Sequence, residues 1–326
     1  MREIRVCSIQ PLGMAHIAPF QGELDRRLAR KKLEENIVQA ERLLTQAGRS
    51  GCDIACYPED IQGIGHYGYY LDDLELFSGF AEPVPGPTTE RIAKVARKHK
   101  MHIVFTIYER LKDQVYNCGV LISRKGELLG KYHKVHLPAA EAWGVAYGDS
   151  FPVFQTDFGT VGILTCYDII FPEVSRALVL NGAEILFNPT MGFTLPDQCE
   201  GSGLMRIRMR AIDNFVPFVL SKCGSDTIIV DSDGNILAQA RPGHEETIAA
   251  TIDLDETPVD HSQWEVITGT SDVKARLLQE RRPALYRDLT AKHPPLMERY
   301  KGKRLRSTPA EIREAYEEIR RRWSGK

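Results

Sequence analysis

The sequence predicts a layered α/β fold, and three observations carry that prediction. Short apolar runs rich in β-branched residues, such as Val161–Thr165, alternate with longer stretches of helical period, the pattern of strand–helix–strand units. A hydrophobic content of 43% over 326 residues can bury a sizeable core, and 26% charged residues is ordinary for a soluble globular chain. Three apolar runs are each followed by a reactive side chain, Glu59, Lys134 and Cys166, and α/β proteins gather their chemistry at the carboxyl ends of strands.

Arg2–Gln10 sets Ile4 and Val6 against Arg5 and Cys7 before Pro11 and reads as the first strand. Lys32 to Gly48 carries Leu33, Ile37, Ala40, Leu43 and Leu44 at helical spacing and ends in glycine. Asp53–Tyr57 is the second strand, closed by Pro58-Glu59-Asp60. Gln62–Phe80 is aromatic and glycine-rich without a period, which predicts a long functional loop with short helical pieces. After the rigid turn 83–87, Thr88 caps a helix through Lys100, and Met101–Tyr108 is the third strand. Gln114–Ser123 and Glu127–Tyr132 form a hairpin about Arg124-Lys125-Gly126, and a loop follows over 133–149. Beyond Cys166, Glu173–Gly182 is helical and Glu184–Asn188 extended; Leu204–Asn214 is helical again. Val216–Cys223, Thr227–Val230, Ile236–Ala240 and Thr247–Ile252 are strands. With no internal repeat and no low-complexity linker, the chain reads as one α/β domain over 1–280 and a C-terminal arm over 281–326.

The arm has its own character. It holds fourteen Lys and Arg against six Asp and Glu, about +8, which leaves the remainder near −10 in a total of −2. Thr308-Pro309-Ala310-Glu311 has a cap, a first-turn proline and a third-position Glu. Ile312, Ala315, Tyr316, Ile319 and Trp323 then make one apolar stripe, which needs a surface to cover. The expectation is a homodimer or higher homo-oligomer with the arm on the partner subunit, in preference to a basic tail for nucleic acid.

Seven cysteines, an odd and scattered set, predict no disulfide framework and fit reduced cytoplasmic thiols. No run approaches the roughly 18 apolar residues that span a bilayer, and the first ten residues lack the apolar core of a signal peptide. Neither membrane nor nucleic acid is an expected partner. Gly63-Ile-Gly65-His-Tyr-Gly68 matches GxGxxG formally, but it does not directly follow its strand, and no acid-ended strand follows at the right distance. Its glycines read as a loop bending over a pocket. His66, His133 and His136 read as local hydrogen-bonding groups, so no metal or other cofactor is expected.

A free cysteine in an apolar run is most often core, so the case for chemistry rests on its company. A carboxylate whose pKa is raised by an apolar pocket can take a thiol proton and return it to a leaving amine. A fixed ammonium stabilises the oxyanion of a tetrahedral intermediate, and the thiolate carries the acyl group until water removes it. Glu59, Lys134 and Cys166 are the parts needed to hydrolyse a carbon–nitrogen bond.

The same residues lie in motifs that resemble the nitrilase superfamily of carbon–nitrogen hydrolases. These are Tyr57-Pro-Glu59, Gly130-Lys-Tyr-His-Lys134-Val-His-Leu137, and Cys166-Tyr-Asp-Ile-Ile-Phe-Pro-Glu173, supported by Asn181–Pro189 and Arg210-Ala-Ile-Asp-Asn214. The resemblance covers about residues 3–255 and implies a four-layer αββα sandwich that assembles into dimers or larger oligomers. It implies Glu59 as general base and acid, Lys134 as oxyanion stabiliser and Cys166 as nucleophile, with Glu141 orienting Lys134 and the substrate amine. The backbone N–H of Tyr167 would be a second oxyanion donor, and Tyr67, Asn188, Met191 and Gly192 would line the substrate site. True nitrilases usually continue Cys-Trp-Glu, whereas Cys166-Tyr-Asp168 resembles the amidase and N-carbamoyl amidohydrolase branches. Many branches place an Arg one or two positions further on; here Ile169 and Ile170 stand there, leaving Lys222 and Arg206 as candidate clamps for a substrate carboxylate. The expected reaction is hydrolysis of an amide or ureido bond in a small molecule, with release of ammonia. The alternatives are a nitrile substrate, or a non-catalytic scaffold or nucleic-acid-binding protein acting through the basic C-terminal tail.

Overall fold

The computed structural model describes residues 2–17, 25–65, 74–138, 141–191, 202–292 and 294–300, and tail positions 310, 311, 314, 315, 317, 318 and 321. The chain divides into two compact units, Met1–Glu256 and Thr257–Lys326.

The first unit is built on two six-stranded sheets. One has β1 (Glu3–Gln10), β2 (Ile54–Cys56), β3 (His102–Leu111), β4 (Gln114–Ile122), β5 (Leu128–His133) and, on its other edge, β12 (Glu246–Asp253), in the order β12-β1-β2-β3-β4-β5. The other has β6 (Val153–Gln155), β7 (Thr160–Ile163), β8 (Ile185–Thr190), β9 (Phe218–Lys222), β10 (Ile228–Val230) and β11 (Ile236–Gln239), in the order β11-β10-β9-β8-β7-β6. The central strands β1–β2–β3 and β7–β8–β9 run parallel. Strands covered on both faces must be apolar throughout, which is why these segments read as continuous runs.

Three apolar layers follow. Val6, Ile54, Val104 and Leu121 of one sheet pack on Val161, Ile163, Ile185, Phe187 and Val219 of the other. Outside the first sheet lie the helices α1 (Arg26–Arg49) and α3 (Pro87–His99), through Leu43, Leu44, Ile92 and Ala96. Outside the second lie α4 (Pro172–Leu180) and α5 (Ser202–Ile212), through Val174, Leu178, Ile207 and Ala211. The result is an αββα sandwich. Ser8 Oγ donates to Leu220 O and Ser221 Oγ to Ile9 O, tying the sheets together by buried hydrogen bonds at 2.9 and 2.7 Å.

Several details differ from expectation. Helix α1 begins six residues earlier than its apolar period does, because Asp25 caps it by accepting from Arg27 N and Leu28 N. Helix α3 starts at Pro87, whose fixed φ suits the first turn; Thr89 closes the cap with Gly86, and Thr88 donates to Glu82 instead. Strand β6 was not anticipated, whereas the helix α2 (Leu74–Phe80) is one of the short helical pieces expected within 62–80. Cys7 and Cys52 are joined as a disulfide with Cα atoms 6.0 Å apart, correcting the reading of wholly reduced thiols: β1 and the turn after α1 bring together two cysteines 45 residues apart.

The second unit contains α6 (Gln263–Thr268), capped by Ser262, and α7 (Val273–Gln279), capped by Asp272. A Val259–Asp272 bridge and the Asp260–Arg276 ion pair fasten them together. In the tail, Ala310, Glu311 and Ala315 are helical; Thr308, Pro309, Ile312, Tyr316, Ile319 and Trp323 lie outside the described residues. Among the described residues no helix is long and apolar enough to cross a membrane.

Candidate active site

Glu59 follows β2 and Pro58, and the chain turns sharply behind it. Asp60 has φ +59° and Gly63 φ +74°. The Asp60 carboxylate fixes the turn by accepting from Gly63 N at 3.0 Å and Gly65 N at 2.7 Å, while Asp60 N donates to Thr106 Oγ1. A side chain at Gly63 would collide with Ala15 O and the Asn36 amide, so this glycine serves a tight turn. Lys134 leaves β5 with its N–H on Asn117 O at 2.9 Å. Cys166 follows β7 and opens a 3-10 turn, Cys166–Ile170, with φ +47°. That left-handed conformation costs a non-glycine residue about 1–3 kcal/mol and persists only where its surroundings enforce it. Here Asp168 enforces it: its carboxylate accepts from Thr165 N, Tyr132 Oη, His136 N and His136 Nδ1 at 2.7–3.0 Å. Arg210 holds the far end by donating to the Ile169 and Ile170 carbonyls.

These turns bring together the four residues expected to do chemistry. Lys134 Nζ donates to Glu59 Oε1 at 2.9 Å and to Glu141 Oε2 at 2.7 Å. Asn117 Nδ2 bridges the same two carboxylates, to Glu59 Oε1 at 2.8 Å and Glu141 Oε1 at 2.7 Å. Met191 N donates to Glu59 Oε2 at 2.9 Å, and the buried Cys166 thiol lies within electrostatic reach of both Glu59 and Lys134. Lys134 and Glu141 are each 1% exposed, Glu59 4% and Cys166 8%, so these charges interact in a medium much less polarisable than water.

The electrostatics correct one expectation. Burial pushes the Glu59 carboxyl up, but the Lys134 ammonium and the donated hydrogen bonds outweigh it, and the net direction is down. The pocket is not simply apolar, because Lys134 and Asn117 share it. Glu141 goes the other way: burial raises it, Lys134 offsets only part, and Glu59 adds repulsion. Lys134 is held well above its ordinary value; burial opposes this, and Glu141 and Glu59 override it. Burial, reinforced by Glu59, pushes the Cys166 thiol up strongly despite Lys134. Asp60 is pushed up to about 7, by burial first and by Glu59 in addition, against the backbone N–H groups it accepts.

Tyr167 is half-buried, with its ring edge-on to Phe171 at 5.5 Å. Asn188 is fully buried, donating to Leu164 O and accepting from Thr190 Oγ1, which places its amide within the strand ends. Lys222, one candidate clamp, is taken up by Asp226 at 2.5 Å; Arg206, the other, is half-buried on α5. Tyr67 and Gly192 lie outside the described residues, as does His66. Sequence reasoning missed Asn117 as the bridge between the carboxylates and Asp168 as the anchor of the cysteine turn. An Asn amid apolar neighbours in a strand, Val115-Tyr-Asn-Cys118, is the signal that could have found the first.

A thiol, a carboxylate and an ammonium meet at one point of an αββα sandwich, the set of groups that hydrolysis of a carbon–nitrogen bond needs. Sequence comparison agrees: the carbon–nitrogen hydrolase family matches residues 17–258. The chain belongs to that family, within the nitrilase superfamily. It is 31% identical over 282 residues to the N-carbamoylputrescine amidase of Oryza sativa subsp. japonica, covering 78% of this chain and 89% of the relative. It is 31% identical to the omega-amidase NIT2 of Xenopus tropicalis, covering 73% and 90%. The amidase from Nesterenkonia sp. AN1, solved in complex with acrylamide, shares the fold with a TM-score of 0.66 at 17% identity, covering 89% of this chain and 98% of its own.

Proposed function

We propose that this carbon–nitrogen hydrolase cleaves an amide or N-carbamoyl bond of a small molecule through a thioester on Cys166, releasing ammonia. The observation that carries the reading is the meeting of three groups: Lys134 Nζ bonds to Glu59 at 2.9 Å, and the Cys166 thiol lies within electrostatic reach of both. Glu59 takes the thiol proton as sulfur attacks the carbonyl carbon. Lys134 Nζ and the Tyr167 N–H receive the oxyanion. Collapse breaks the C–N bond as Glu59 passes its proton to the departing nitrogen. Water, deprotonated by Glu59, then attacks the thioester, and the returning proton regenerates the thiol. Glu141 holds Lys134 in line throughout.

The relatives named for N-carbamoylputrescine and omega-amide chemistry support an amide or ureido substrate. Ile169 and Ile170 at the usual Arg positions, with Lys222 paired to Asp226, support one bound without a carboxylate clamp at that place. A panel of N-carbamoyl amines, primary amides and nitriles, assayed for ammonia, tests this. Turnover of N-carbamoyl or amide compounds, abolished in Cys166→Ala and accompanied by a substrate-derived mass adduct on the wild-type cysteine, is the expected result. Ammonia release that survives Cys166→Ala refutes the mechanism, and turnover confined to nitriles refutes the substrate class.

We also propose a homodimer or higher homo-oligomer, with 281–326 as an arm on the partner subunit. Exposed Leu180, Met205 and Met209 on α4 and α5 support a covered face. A monomer in light scattering refutes it.

A further inference from the structure

On the reverse face of the sheet that carries Asn117, three donors of different chemistry meet. Glu109 on β3, Cys118 on β4 and His133 on β5 place a carboxylate oxygen, a sulfur and an imidazole nitrogen within 4.8 Å of one another. The register explains it. Cys118 pairs with Ile107 on one side and with His133 on the other. Glu109, two residues beyond Ile107, projects to the same face. Their chain neighbours Asn117 and Lys134 project the opposite way, toward Glu59.

Glu109 is 1% exposed and Cys118 fully buried, whereas the side chains of Lys131 and His133 remain 31% and 20% exposed and connect the cluster to solvent. Glu109 accepts from His133 Nε2 at 2.6 Å and from Lys131 Nζ, while the Cys118 thiol donates to Gly119 O at 3.7 Å. Tyr116 stacks on the His133 ring at 4.0 Å and fixes its plane. Lys131 alone would neutralise Glu109, and a buried thiol contributes little to an ion pair. Sulfur, nitrogen and oxygen converging from three strands are a donor set suited to zinc and its neighbours in the first transition row.

We propose that Glu109, Cys118 and His133 form a binding site for a divalent transition metal of the Zn²⁺ type, with water completing a tetrahedron. Binding replaces existing contacts. Lys131 moves off Glu109, Cys118 releases its thiol proton to solvent and binds through sulfur, and the His133 proton shifts through solvent from Nε2 to Nδ1, which frees Nε2 to bind. With metal–ligand bonds of about 2.0–2.3 Å, the donors settle roughly 3.5 Å apart, so the strands need only small side-chain adjustments. The metal would draw on Cys118 and His133 and so shift Asn117 and Lys134, the two side-chain nitrogens bonded to Glu59. That consequence, unlike the site itself, rests on the proposed hydrolysis.

Co²⁺ is the probe, added to the full chain carrying Cys166→Ala so that the active-site thiol is absent. The expected result is a thiolate-to-cobalt charge-transfer absorption that saturates at one equivalent, is lost on adding Cys118→Ser, and weakens at least tenfold with His133→Gln at its part-exposed position. No such absorption in the Cys166→Ala chain, or an absorption that survives Cys118→Ser, overturns the proposal. The readout needs no turnover, so its failure is separate from failure of the hydrolase reading.

Discussion

Replacing Asn117 with Ala isolates how the proposed base, Glu59, is set. The Asn117 amide gives one hydrogen bond to Glu59 at 2.8 Å and one to Glu141 at 2.7 Å, while its backbone carbonyl, which receives Lys134 N, survives the substitution. A hydrogen bond to a charged group contributes about 1.5–3 kcal/mol, and about 1.4 kcal/mol moves a pKa by one. The bond favours the ionised carboxylate, so removing it moves the Glu59 pKa upward by about one to two. The acid limb of kcat/KM then shifts to higher pH by that amount. On the plateau, where Glu59 is ionised in both proteins, the rate falls far less. The assay is ammonia release against pH for a substrate identified in the panel, with thermal unfolding confirming that the variant is folded. A folded variant whose activity falls equally at every pH, with the acid limb unmoved, refutes the role given to Asn117.

Glu59→Gln keeps an acceptor for Lys134 and Asn117 but cannot hold the thiol proton, so turnover should fall about 10³-fold; a loss under tenfold in steady-state ammonia release contradicts general-base catalysis. Asp60→Asn tests the turn behind the base. The folded carboxyl sits at about 7 against an ordinary 3.8, so the folded state holds this proton between about pH 4 and 7, and the stability it confers is lost as pH rises through that window. The full effect is about 4 kcal/mol, and the Asn variant should gain on the wild type in urea unfolding between pH 5 and 8; parallel curves refute it. Asp168→Ala strands the donors that hold Cys166 at φ +47° and should cost about 2–4 kcal/mol in the same measurement; a cost below about 1 kcal/mol removes Asp168 from its anchoring role.

What the sequence disclosed and what it hid follow from the range of the interactions involved. The strands that precede Glu59 and Cys166 were legible because two-sided burial writes itself as consecutive Val, Ile and Ala. Helix α1 was legible only from Lys32 on, since its first turns, Arg26-Arg-Leu-Ala-Arg, bury only Ala29 and the start depends on one cap, Asp25. Strand β6, three residues long at a sheet edge, has too few positions to show a period. The meeting of Glu59, Lys134, Glu141 and Cys166 was expected from motif resemblance, because no local rule links residues 59 and 166. Asn117 stayed hidden because its function depends on two carboxylates 58 and 24 positions away. The Cys7–Cys52 contact was equally invisible: strand register sets it, and counting cysteines cannot reveal register.

In the proposed hydrolysis the charge arrangement lets one group be both the resting thiol and the nucleophile. Burial first, and the neighbouring Glu59 carboxylate in addition, hold the Cys166 thiol well above its ordinary pKa, which disfavours a standing thiolate open to oxidation. Lys134 is shared between Glu59 and Glu141 at 2.9 and 2.7 Å, and its ammonium is already oriented before any substrate arrives. In the proposed reaction the proton moves to Glu59 as negative charge appears on the substrate oxygen, so Lys134 exchanges part of its interaction with Glu59 for one with the oxyanion. Charge is relocated among groups that hardly move, which is how a preorganised site lowers a barrier. Glu141 makes this workable: if Glu59 were the only counter-charge, protonating it would leave a buried, unpaired ammonium. The second carboxylate would keep Lys134 paired at every step of the proposed reaction, a physical rationale for a Glu–Lys–Glu arrangement beside a single cysteine.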